Sequence, residues 1–138
     1  MANMNTLTEG ALILVVEDHV PLLRDLSFIL QVAGFDVLSA SDGTTAIAMM
    51  KRQTPDLVLS DIDMPEMSGY DVLRQMRAEK KFAAVPCVLM SGNDDYDHLM
   101  TALDLGAADY LPKPFDAYEL IDAIHMALTE WVPFKRAG

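Results

Sequence analysis

Five short apolar runs divide this chain: Leu12 to Val16, Asp36 to Ser39, Leu57 to Ser60, Pro86 to Met90 and Asp109 to Leu111. Longer segments of helical period separate them. Several of the runs are continuous in apolar residues, as strands covered on both faces require, whereas a strand with one wet face alternates. Sustained alternation of this kind points to a parallel sheet with crossover helices on both faces. The intervening segments carry apolar stripes. Leu22, Leu26, Ile29, Leu30 and Ala33 mark the first, Ala46, Met49 and Met50 the second, and Leu73 with Met76 the third. Leu99, Met100 and Leu103 mark the fourth, and Leu120, Ile124 and Leu128 the fifth. Asp42 is placed to cap the second helix, and Gly34 and Gly106 to end the first and fourth.

Right-handed crossovers in a sheet of this size favour the strand order 2-1-3-4-5, the flavodoxin-like three-layer α/β/α arrangement. Its chemical consequence is a switch point between the first and third strands, outside their carboxyl ends, where open α/β sheets bind ligands. A length of 138 residues suits one domain. We expect residues 1–10 to form a disordered N-terminal segment, residues 11–131 the folded domain, and residues 132–138 a tail or the start of a linker. The lone cysteine, Cys87, sits among Val85, Val88 and Leu89 and reads as a small buried hydrophobe, which fits a reducing cytoplasm. The apolar run from Ala11 stops at Glu17, so neither a signal peptide nor a membrane span is expected. A formal charge of -11 opposes any broad approach to a phosphate backbone, so no direct nucleic-acid binding is expected of this chain.

Polar groups gather where the topology places the switch point. Glu17 and Asp18 follow the first strand and Asp61 the third. Two unit charges about 5 Å apart repel by roughly 3 kcal/mol at an effective dielectric near 20, so three converging carboxylates call for a cation. Magnesium is the natural choice, with manganese as a substitute, because it takes carboxylate oxygens, water and phosphate. His19, His98 and His125 are scattered, read as surface residues, and make no zinc site. Lys113, between Pro112 and Pro114 after the fifth strand, can reach the same cleft and hold a phosphate oxygen. Ser91 ends the fourth strand before Gly92 and Asn93 and supplies a hydroxyl. Singly, each of these is an ordinary loop side chain; the set at adjacent strand ends is what carries the reading.

In order and separation these residues resemble the bacterial response-regulator receiver domain. The resemblance rests on Glu17 and Asp18, on the run Asp61-Ile62-Asp63-Met64-Pro65-Glu66-Met67-Ser68-Gly69, on Ser91, and on Lys113-Pro114-Phe115, and it covers nearly the whole chain. It implies that Asp61 is the phosphoacceptor, and that Asp18, Asp61 and the backbone carbonyl of Asp63 bind magnesium with help from Glu17 through water. Ser91 and Lys113 then hold phosphoryl oxygens. Asp63 and Asn93 resemble positions that tune hydrolysis of the acyl phosphate. The Lys113-Pro114 bond is expected to be cis. Ser91 is expected to move to the phosphoryl group and let Tyr110 turn inward, changing the face made by the fourth helix, fifth strand and fifth helix.

The resemblance names a sensor histidine kinase or histidine phosphotransfer protein as donor, leaves the output open, and suggests a monomer or weak homodimer. It makes the chain a signalling domain that catalyses only its own phosphorylation and dephosphorylation. Glu17 stands where aspartate is more usual and Ser91 where threonine is. Asp122 and Ala123 stand where many DNA-binding members carry an arginine, which points away from that subgroup. The rival reading is a haloacid-dehalogenase-type phosphatase, for which Asp61-Ile62-Asp63 could supply an Asp-x-Asp nucleophile. A flavin carrier is disfavoured, since carboxylates crowd the place a flavin phosphate needs.

Overall fold

The computed structural model describes residues 8–92 and 96–132. Its strands are β1 (Leu12–Val16), β2 (Asp36–Ala40), β3 (Leu57–Asp61), β4 (Cys87–Ser91) and β5 (Asp109–Pro112). They alternate with α1 (Val20–Val32), α2 (Gly43–Arg52), α3 (Gly69–Ala78), α4 (Tyr96–Asp104) and α5 (Ala117–Glu130). All pairings are parallel and the order is β2-β1-β3-β4-β5, the arrangement expected from the sequence.

The strands alternate their side chains between two cores. Leu14, Val16, Val58 and Leu89 pack with Ala46, Met50, Val72, Leu73, Met76 and Ala102 of α2, α3 and α4. On the other face Ile13, Val15, Leu57, Leu59 and Met90 pack with Leu23, Leu26 and Leu30 of α1 and Leu120 and Ile124 of α5. Every residue of β3 and β4 is buried, which explains their unbroken apolar reading. Full burial of a Leu or Ile contributes about 1.5–3 kcal/mol, so these central strands anchor the fold.

Helix ends follow their local chemistry. Asp42 accepts from the Thr45 amide at 2.7 Å, and Ser68–Asp71 and Asp116–Glu119 form reciprocal capping boxes on α3 and α5. Gly34 adopts φ 102°, and the bonds Gly34 N to Gln31 O and Phe35 N to Leu30 O close α1 in a Schellman turn. Gly106, at φ 91°, ends α4 in the same way.

Four details depart from the sequence reading. Thr8 is buried and its hydroxyl lies 2.6 Å from His125 Nδ1, so the packed body reaches back at least to Thr8 and the expected boundary at residue 10 is too late there; residues 1–7 lie outside the described residues. His125, expected at the surface, is therefore a core residue, 3% exposed and against Phe35. Its imidazole is held below its ordinary pKa by burial, with Asp122 partly offsetting. Among the described residues of α4, Ala102 is the buried one and Leu99 packs partly buried against the same core, while Met100 and Leu103 are exposed. Tyr110 is already buried, 7% exposed, among the α4-side core. The lone cysteine behaves as expected: Cys87 is fully buried, and burial pushes its thiol up to about 12.

Candidate phosphoacceptor site

β1 and β3 are neighbours because the connection from edge strand β2 passes over β1 to reach β3, so their carboxyl ends deliver acids to one point. Glu17 follows Val16, with its amide bonded to Ala40 O at 3.1 Å, and Asp61 ends β3 opposite Met90. Carboxylate oxygens of Glu17, Asp18 and Asp61 all lie within 4.8 Å of one another. Glu17 and Asp61 are buried, at 1% and 3% exposure, whereas Asp18 stands at the exposed rim. Lys113 arrives from the end of β5, fixed by its amide donating to Ser91 O at 2.7 Å and followed by a cis bond to Pro114, as the resemblance implied. Its ammonium donates to Glu17 Oε1 at 2.8 Å and to Asp61 Oδ1 at 3.0 Å.

Burial raises the Asp61 carboxyl, and the negative charges of Glu17 and Asp63 add to it; the Lys113 ammonium opposes them, leaving a pKa of about 6. For Lys113, burial alone would lower the pKa, but the hydrogen bonds it donates to Glu17 and Asp61, with their negative charges, more than offset it, so the group is raised and stays charged. One ammonium shared between two buried acids, with a third at the rim, leaves net negative charge made of hard oxygen donors. That donor set fits a magnesium ion and gives no sulfur or imidazole ligand for zinc.

The loop after β3 shapes the remaining wall. Ile62 O accepts from Met64 N at 3.1 Å and from Gly69 N at 3.0 Å, which folds residues 62–69 back beneath Asp61. A Cβ on Gly69 would lie 2.3 Å from Asp61 O, so only glycine allows this approach. Glu66 takes the left-handed conformation at φ 67° within the same loop. Asp63 is exposed and accepts a hydrogen bond from Ser91 Oγ at 2.7 Å. The sequence reading had both residues in the site but not this pairing, since neither spacing nor strand order fixes the direction of a loop carboxylate. Ser91 itself is fully buried at the end of β4. Asn93 lies outside the described residues. Glu17, Asp18, Asp61, Asp63, Ser91 and Lys113 therefore lie around one edge of the sheet, and Tyr110 sits one strand away, opposite Leu89.

A family profile described as the response regulator receiver domain matches residues 13–125. The chain belongs to this family. This receiver domain is similar to the sensory transduction protein RegX3 of Mycolicibacterium smegmatis, 39% identical over 126 residues that make up 91% of this chain and 54% of that protein. It is also similar to the DNA-binding response regulator MtrA of Mycobacterium leprae, 38% identical over 116 residues, 84% of this chain and 50% of that one. The chain thus spans about half the length of these relatives. Among solved structures, a response regulator receiver domain protein from Clostridium thermocellum shares 32% identity at a TM-score of 0.78, covering 86% of this chain and 94% of that one. Chemotaxis response regulator CheY4 of Vibrio cholerae shares 27% at a TM-score of 0.82, covering 86% and 99%.

These matches leave the phosphatase alternative without support. They also run against the inference drawn from Asp122 and Ala123, since relatives named as DNA-binding or transcriptional regulators are among them. Among the described residues no helix is long and apolar enough to cross a membrane.

Proposed function

We propose that this receiver domain takes a phosphoryl group on Asp61 from a phosphohistidine of a sensor histidine kinase or phosphotransfer protein. The observation that supports it most is the buried Asp61 carboxylate held by Lys113, which also pairs with Glu17, beside the rim acid Asp18. Glu17, Asp18, Asp61 and the backbone carbonyl of Asp63 would hold magnesium, with manganese as a substitute. The ion, when bound, neutralises developing charge on the transferring group.

The chain's own residues then do mostly positioning. An Asp61 oxygen attacks phosphorus, the O–P bond forms as the N–P bond of the donor breaks, and the electron pair leaves with the imidazole. Lys113 offers its ammonium to a phosphoryl oxygen as its hold on Asp61 relaxes, and the Ser91 hydroxyl offers a second donor. Hydrolysis of the acyl phosphate resets the domain, so it acts as a timed signal and not as a turnover enzyme, with Asp63 and Asn93 tuning the lifetime. The Ser91 hydroxyl and Tyr110 couple the site to the face of α4, β5 and α5. Because Tyr110 is inward already, the change at that face is one of packing around a buried ring.

We place the domain in the cytoplasm, as a monomer or weak homodimer. The relatives' names make transcriptional control the fitting output for a longer protein. The expectation of no nucleic-acid contact is kept only for the acidic receiver surface itself.

The test is incubation with acetyl phosphate and magnesium, read by intact mass. The wild-type chain gains one phosphoryl group and Asp61→Asn gains none. Full labelling of Asp61→Asn would move the acceptor elsewhere.

A further inference from the structure

Resting on the phosphoacceptor reading, we infer that Asp63 is a positioning residue whose carboxylate holds the Ser91 hydroxyl, so that loading Asp61 requires that hydroxyl to change acceptor.

The hydroxyl carries one proton, and here it is given to Asp63 Oδ2 at 2.7 Å, the usual length of a well-formed O–H···O bond. A proton committed to Asp63 is not available to a phosphoryl oxygen on Asp61. The Ser91 backbone is held by the sheet: β4 pairs it with Pro112, and its carbonyl accepts from Lys113 N at 2.7 Å. The side chain is fully buried, so the exchange is a rotation among three staggered positions and not a movement of the strand. Asp63 differs on every count. It is exposed, and Ser91 is its hydrogen-bond partner among the described residues, while the site's ammonium is engaged by Glu17 and Asp61 instead. Water can replace Ser91 at Asp63 at little cost, whereas the buried hydroxyl needs a protein or ligand acceptor wherever it turns.

Asp63 therefore sets a threshold. Its side chain keeps Ser91 in a resting orientation that the phosphoryl group must outcompete, a role separate from the metal contact that its backbone carbonyl would make. Removing its charge alone is a different change from removing its acceptor oxygen, and the two are separable. Asp63→Asn loses the charge but keeps an oxygen that can accept from Ser91; Asp63→Ala loses both.

The experiment titrates beryllofluoride with magnesium into four chains by calorimetry: Asp63→Asn and Asp63→Ala, each with Ser91 and with Ser91→Ala. Fluorine NMR of the bound ion confirms that it occupies the same site. With Ser91 present, Asp63→Ala is expected to bind about fivefold more tightly than Asp63→Asn, the equivalent of one net hydrogen bond. With Ser91→Ala the difference disappears, because no hydroxyl is left to be held. Equal affinities with Ser91 present, or a fivefold gap that persists with Ser91→Ala, overturn the inference while leaving the phosphoacceptor reading intact. A wild-type chain that binds no beryllofluoride overturns both.

Discussion

At Asp61 burial and pairing pull against each other, and the balance has a measurable sign. Its folded pKa of about 6 stands above the ordinary 3.8. Between those values the folded chain keeps a proton that the unfolded chain has lost, so metal-free stability falls as pH rises through this window and the penalty is complete above it. Two pKa units correspond to about 3 kcal/mol, which solvent at the open edge of the site reduces to roughly 1–2 kcal/mol. Asp61→Asn is accordingly expected to be more stable than wild type by that amount in metal-free urea melts at pH 7.5, and to lose the decline between pH 4 and 6. Equal stability of the two chains would show that Lys113 cancels the cost. Glu17, Asp18, Asp61 and Lys113 were legible because strand order alone brings strand ends together. The Ser91–Asp63 bond was not, because a loop side chain's direction depends on the turn that carries it. His125 was misread because its cover, Thr8, lies 117 residues away in a segment whose composition reads as polar.

Among the elements, the turn from β3 into α3 is the tightest join in the site. A Cβ at Gly69 would lie 2.3 Å from the Asp61 carbonyl oxygen, so the added methyl of Gly69→Ala must displace either the helix start or Asp61. A loss of about 1–3 kcal/mol is expected in denaturant melts, together with slower labelling by acetyl phosphate; a variant of wild-type stability would mean that the loop yields freely. Capping is the reason that the start of α2 could be read, since Asp42 satisfies an amide left open at a first turn; Ser68 and Asp116 do the same for α3 and α5, which the sequence reading had not singled out. α4 was harder. Its buried contact among the described residues is the small Ala102, and of the stripe Leu99, Met100 and Leu103 only Leu99 packs against the core while the other two face solvent. Beside it, the Tyr70 hydroxyl reaches His98 Nδ1 at 2.8 Å, tying α3 to α4 through a pair that no sequence period announces.

For the molecule as a whole, a metal ion held by the acid cluster would link folding and metal binding in one equilibrium. Magnesium at about 100 times its dissociation constant is expected to add about 2.7 kcal/mol, or on the order of 10 °C in melting temperature, and EDTA to remove it. Asp18→Asn should lose most of that gain while melting close to wild type without metal, because its carboxylate is exposed; an undiminished gain would exclude Asp18 as a ligand. The layout has one more result. α5 begins beside Lys113 and its 14 residues run back across the sheet for about 21 Å to Trp131, whose ring lies 4.9 Å from the Arg77 guanidinium. That guanidinium is itself pinned by the carbonyls of Val85 and Gly106, where β4 and β5 are about to begin. Trp131 therefore closes α5 at the end of the sheet opposite Asp61, where Arg77 ties it to the loops that lead into β4 and β5.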